Sequence, residues 1–258
     1  MRNHEYLADR LILSSDPYLR PVDASDEEEA PTSLVQKVIH GMRQMIRSEG
    51  MKVGDALPSE SAIAEQLGVS RAVAREAYRS MAALGLISVG NGRRPRVSAV
   101  DDQVLALVID HGVQTDQVSV QQILDVRRTI EMRTVGLAAL RRTEKEAREI
   151  KALAAAMRAD FHHTDKVMEH DIAFHEAIAR ASRNPMFALI VGSFHVVTRQ
   201  TWRVGWLARE SDEDRYDNVT CHEAIAAHIE AGNRAAAEQQ MAAHFDNTVK
   251  VLLASGIN

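Results

Sequence analysis

Between Ser59 and Val100 the chain is punctuated so closely that few folds can accommodate it. Ser59 stands where a side chain would cap a short helix from Glu60 to Leu67, and Gly68-Val69 makes a tight turn. Ser70 can then cap a second helix from Arg71 to Leu84, which Gly85 stops. Two β-branched runs, Leu86 to Val89 and Arg96 to Val100, flank Gly90-Asn91-Gly92 and predict a hairpin. Upstream, Leu34, Val38, Met42, Met45 and Ile46 recur at helical spacing behind Ser33, which predicts a first helix ending at Ser48. Helix, short helix, turn, helix and hairpin is the order of a winged helix-turn-helix, in which the second helix of the motif enters the DNA major groove.

Charge follows the same division. Residues 1–31 carry 3 Lys/Arg against 8 Asp/Glu, residues 32–100 carry 10 against 5, and residues 101–258 carry 18 against 23. A basic block between acidic neighbours suits a segment that meets a polyanion. Within it Ser70, Arg71 and Arg75 lie at the start and on the exposed side of the third helix, where base edges and phosphates are in reach, and Arg93, Arg94 and Arg96 load the hairpin. The acidic run DASDEEEAPT closes a flexible tail over residues 1–31.

Beyond Asp101 the strand signals stop. Seven helices are predicted, over 102–112, 119–142, 143–160, 164–181, 185–207, 212–231 and 234–254. The fold class is therefore mainly α: a winged helix-turn-helix domain over 32–100, then an all-α helical bundle over 101–258. No apolar run approaches the roughly 18 residues of a membrane span, and no secretory signal opens the chain, so a cytoplasmic protein is expected. A single cysteine, Cys221, excludes an internal disulfide and a cysteine-built metal finger.

The stretch EHDIAFHEAI poses a separate problem. At helical spacing Asp171, Phe174, His175 and Ile178 share one face, so a carboxylate and an imidazole one turn apart sit in an apolar stripe. His222 shares its face with Val219, Ile225 and Ile229, and His244 with Met241 and Val251. Burial of such groups without partners is costly, and a divalent transition metal bound by three imidazoles and a carboxylate would satisfy them. Taken singly, each histidine is more often a satisfied core or surface residue than a ligand. Arg127, between Ile123 and Ile130 on a helix face, needs either a bound anion or Glu131 one turn on.

The run LPSESAIAEQLGVSRAVAREAYRSMAALGLISVGNGRRPRV resembles the DNA-binding domain of the GntR family of bacterial transcription regulators. The resemblance implies operator contacts by Ser70, Arg71 and Arg75, with the wing tip Asn91-Gly92 reaching the minor groove beside Arg93. One departure is Ser61, where many relatives have Arg after the Glu of LPSE. DIAFHEAIARASRNP and CHEAIAAHIEAGNRAAAEQQMAAHFDN resemble the metal-binding form of the FadR-type ligand domain, FCD. That likeness implies Asp171, His175, His222 and His244 as ligands of one ion, zinc first, with nickel or manganese as alternatives. It also implies Arg127 as the group that holds a carboxylate effector, a sugar acid, hydroxy acid or dicarboxylate; Arg199 and His195, followed by Trp202, are weaker candidates for the same cavity.

The resulting expectation is a homodimeric, ligand-responsive repressor that binds double-stranded operator DNA and does not bind membranes. Two alternatives stand beside it: a metal-dependent enzyme acting on a small carboxylate, and a constitutive DNA-binding protein with a structural metal.

Overall fold

The computed structural model describes residues 33–90, 93–209 and 211–256. The acidic segment 1–31 and the wing tip Asn91-Gly92 lie outside the described residues. The described chain forms two compact units, one reaching Ala83 and taking in Ile87–Val97, the other built from Leu84–Leu86 and the chain from Ser98 onward.

The first unit follows its punctuation. Helix α1 (Leu34–Ser48) starts where Ser33 accepts a hydrogen bond from the Gln36 amide, and α2 (Glu60–Leu67) where Ser59 accepts from Ala62, both at 3.2 Å. Gly68 takes the left-handed conformation, φ 66°, that ends α2 at no side-chain cost. Ser70 accepts from the Val73 amide at the start of α3 (Arg71–Ala83). Val38, Met42, Leu57, Ile63, Tyr78, Met81 and Ile87 bury together, each contributing about 1.5–3 kcal/mol where the whole side chain leaves water. Tyr78 donates to the Pro58 carbonyl at 2.6 Å, and burial with Glu60 nearby pushes its phenol up to about 12.

The hairpin differs from its prediction in register. Strand β1 spans Ile87–Gly90 and β2 spans Arg93–Val97, so the second strand begins and ends three residues early. Ile87 pairs with Val97 and Ser88 with Arg96, and an irregularity between Ser88 and Gly90 accommodates the segment that contains Pro95. The loop before α2 supplies the reason: the Leu57 amide donates to the Pro95 carbonyl, the Val97 amide to Asp55, and the Gly54 amide to Val97. A third segment thus holds β2 on its far side, with Ala56 bridged to Arg96.

The second unit is all helix among the described residues: α4 (Gln103–Gln114), α5 (Val120–Arg141), α6 (Glu144–Ala159), α7 (Thr164–Ala181), α8 (Pro185–Ser193), α9 (His195–Leu207), α10 (Asp212–Glu230) and α11 (Arg234–Ala254). Reciprocal capping boxes open α5 (Ser119/Gln122), α6 (Thr143/Glu146) and α10 (Ser211/Asp214). The single helix expected over 185–207 is two helices, because the chain breaks at Phe194. There Ser193 Oγ donates to the Ile190 carbonyl and His195 Nδ1 to the Gly192 carbonyl, drawing away acceptors the helix would use, and the Phe194 amide falls back to Val191. Helices α5, α6, α7, α10 and α11 enclose a core of Val135, Ile150, Met157, Phe174, Ile178, Ile225, Ile229, Met241 and Phe245. At Gly136 the Glu238 side chain of α11 occupies the space a Cβ would need, so α11 lies close against α5.

Candidate metal centre and ligand cavity

Four helices aim polar groups into this apolar core. Asp171 and His175 come from successive turns of α7, His222 from α10, His244 from α11, and Arg127 with Glu131 from successive turns of α5; all are buried. The three imidazole rings stand with centroids 4.6, 5.2 and 5.8 Å apart. Each offers a nitrogen, and these nitrogens lie within 4.8 Å of one another. Asp171 Oδ1 is 2.8 Å from His222 Nε2 and 3.8 Å from His175 Nε2. The three imidazoles thus converge closely enough to share an ion, and Asp171 stands against two of them.

Hydrogen bonding fixes which atoms face the centre. His222 Nδ1 lies 2.8 Å from the Asn218 carbonyl, which only accepts, so Nδ1 carries the proton and a neutral ring turns the Nε2 lone pair inward. His175 Nδ1 is held by the Glu131 carboxylate, which fixes its ring in the same way. Asp171 Oδ1, His175 Nε2, His222 Nε2 and His244 Nδ1 are all buried without a hydrogen-bond partner. At about 1–3 kcal/mol each, four such atoms would cost about 4–12 kcal/mol, comparable to the whole stability of a domain. Asp171 Oδ1 and His222 Nε2 are acceptors facing each other at hydrogen-bonding distance, and a water has only two protons to give. A cation is the group that satisfies several converging lone pairs at once.

Electrostatics couple the same groups: burial would lower His175, but Glu131 and Asp171 outweigh it and raise the imidazole above its ordinary value. Burial would raise the Asp171 carboxyl, but the facing His222, with His175 and His244, outweighs it and holds the group well below the usual carboxylate range. Glu131 is likewise driven up by burial and brought below its ordinary value by His175 and Arg127. His244 is pushed well down by burial and by the neighbouring imidazoles, so it stays neutral and able to bind metal. Glu131 holds His175 from behind, an arrangement that would set the ring direction and basicity of a metal ligand.

A cavity of about 50 Å³ opens beside the cluster, lined by Arg127, Asp171, Asn218 and His244 together with the Thr198, Thr201, Trp202 and Gly205 face of α9. Arg127 reaches it already engaged: Nε donates to Glu131 at 2.9 Å and Nη1 to Thr198 Oγ1 at 2.8 Å. The pairing with Glu131 that the sequence left open is therefore made. Arg199 and His195 are not brought to the cavity. Arg199 sits roughly 100° around α9 from Thr198, is largely exposed, and pairs with Glu169. His195 turns to Gly192 and stands 3.7 Å from Asp102. Trp202 does line the space. Two contributors carried no local signal: Glu131 as the partner of His175, 44 positions away, and Arg209, a buried lining residue in the loop between α9 and α10.

In the first unit Ser70, Arg71, Arg75 and Arg93 are exposed. Ser70 is engaged as the α3 cap, and Arg75 Nε is 3.4 Å from Glu60 while more than half of its side chain faces solvent.

An exposed basic helix-turn-helix joined in one chain to a helical unit with a buried ligand site defines a DNA-binding regulator. Residues 34–97 match the family described as bacterial regulatory proteins, gntR family, and residues 122–247 match the FCD domain. The HTH-type transcriptional regulator LutR of Bacillus subtilis is 31% identical over 213 residues, covering 81% of this chain and 96% of LutR. The galactonate operon transcriptional repressor of Escherichia coli is 26% identical over 192 residues, 72% of this chain and 82% of that protein. A solved Streptococcus agalactiae GntR structure shares the fold, with a TM-score of 0.60 at 24% identity over 84% of this chain and 99% of that one. The chain belongs to the GntR family, with an FCD ligand domain of the FadR type, and is a DNA-binding transcriptional regulator. Its relatives are regulators, which overturns the enzyme alternative. Among the described residues no helix is long and apolar enough to cross a membrane.

Proposed function

We propose that this regulator is a homodimeric repressor released by a small organic acid, with one divalent transition ion, zinc first, held by Asp171, His175, His222 and His244. The observation that carries the reading is the convergence of four buried polar atoms without partners, two of them acceptors turned toward each other. The ion would supply a fixed positive charge and open coordination positions beside the cavity. The galactonate name of one relative supports sugar acids among the candidate effectors. DNA contacts are assigned to Ser70, Arg71, Arg75 and Arg93, with Asn91 and Gly92 at the wing tip.

Helix α9 supports a route from ligand to DNA. One face lines the cavity, while Gln200 on another holds Asp110 of α4, the first helix after the DNA-binding segment. A ligand bound more tightly in one placement of α9 than in another therefore acts on the element through which the two units are joined in the chain. Metal analysis of the purified full chain tests the basis of the reading. About one divalent ion per chain, lost on His222→Ala, is expected; metal-free protein with unaltered thermal stability would return the histidines to the core.

A further inference from the structure

Among the described residues Arg209 is a buried cation that its surroundings leave unbalanced. It is 9% exposed, follows the C-terminal end of α9, and lines the cavity with Asp171, Asn218 and His244. Nη1 donates to the Gly205 carbonyl at 2.6 Å, the guanidinium stands 6.0 Å from the Trp206 ring, and Nε has no partner. Among the described residues no carboxylate lies within ion-pairing distance. Asp171 is the opposite charge that acts on it most strongly, and its Oδ1 is turned instead toward His222.

The contrast with Arg127 decides between the two arginines of the cavity. Arg127 is neutralised by Glu131 at 2.9 Å and is further held by Thr198. Its removal would unbalance Glu131 and, through it, His175. Among the described residues Arg209 has no such partner, and burial of an unpaired charge is so costly that an ionised arginine there calls for an anion. Burial indeed pushes its guanidinium below its ordinary value, with Asp171 opposing. With a divalent ion on the histidines, the positive charges of the ion, Arg127 and Arg209 exceed those of Asp171 and Glu131 by two.

We infer that Arg209, rather than Arg127, is the carboxylate anchor of the effector, gripping a small organic acid whose other oxygen faces the histidine cluster. The inference rests on the effector reading above and deepens it by naming the residue that recognises charge. The cavity is small, at about 50 Å³, which favours a short acid. Because Arg209 sits in the loop that joins α9 to α10, its capture by the acid fixes the end of the helix that packs on α4.

The test uses metal-loaded full-length protein, with lactate and malate as probes and lactamide as the neutral control, read by melting temperature and by the fluorescence of Trp202 and Trp206. One of the acids is expected to bind wild type, and lactamide to bind neither wild type nor variants. Arg209→Gln should weaken acid binding about 10- to 100-fold, the range for loss of a charge-assisted hydrogen-bonding pair. Arg209→Lys, which keeps the charge and loses the fork, should fall between and guards against a folding defect in the Gln variant. Equal acid affinity in wild type and in either folded variant would overturn the anchor while leaving the effector reading intact. Equal binding of lactate and lactamide would overturn it as well, and acids that never bind wild type would overturn both.

Discussion

The two units of this chain place their polar chemistry in opposite ways. Among the described residues, the buried charged and polar side chains, from Arg127 through Asp171 and His175 to His244, all belong to the helical unit. The helix-turn-helix unit buries an apolar cluster whose polar exception, the Tyr78 hydroxyl, is satisfied by Pro58, and it keeps Arg71, Arg75 and Arg93 exposed. The difference follows from the partners. Phosphates and base edges are read from outside, so that unit needs a rigid support and a basic face. On the proposed reading, a small acid recognised in a dry cavity must be met by groups already stripped of water, so the helical unit carries their desolvation cost in its own core.

If that division holds, changes inside the helical core should cost far more stability than changes on the DNA face. The largest effect is expected for His244→Ala, which deletes one ligand and leaves Asp171 and two imidazoles buried: about 3–5 kcal/mol of stability together with loss of the ion. Calorimetry with and without chelator checks it, and a fall that chelation does not reproduce would detach the residue from the metal. Glu131→Gln keeps the shape but removes the charge that orients His175 and pairs Arg127. Metal affinity should fall about 10- to 100-fold, measured by competition with a coloured chelator. Acidification should release the ion, because imidazoles bind it only when unprotonated, so metal affinity measured by chelator competition should fall as pH drops.

On the other side, Arg71→Ala and Arg75→Ala should each weaken operator binding by about 1–3 kcal/mol at fixed salt and leave melting within about 0.5 kcal/mol of wild type. A stability loss as large as that of the core variants would erase the contrast between the units. Ser59→Ala, which removes only the α2 cap, is expected to cost about 1 kcal/mol, and an unaltered melting curve would mean that α2 is held by packing alone.

Legibility in the sequence divided along different lines. Capping serines, Gly68 and helical apolar spacing act within a few residues, so α1, α2, α3 and most helices of the second unit could be read locally. The same spacing put Asp171 and His175 on one face and set His222 and His244 in apolar stripes. What local rules missed depends on contacts from elsewhere. The register of β2 is set by the Asp55–Leu57 segment, and the break at Phe194 by side chains that take helix acceptors. Arg199 shared its turn with His195 and stood near Trp202, yet about 100° of rotation sends it to Glu169 instead. Arg209 belongs to a loop, where no periodicity reports burial, and Glu131 reaches His175 only through the packing of α5 on α7.

The central claim is that the buried site governs the exposed one. Its most direct test is the affinity of the full chain for an operator selected from random DNA, measured over an acid titration with metal-loaded and metal-stripped protein side by side. The account predicts that an acid lowers DNA affinity in the loaded protein, and that stripping the ion abolishes the shift. DNA affinity that ignores every acid tested, or that responds equally with and without the ion, would contradict it.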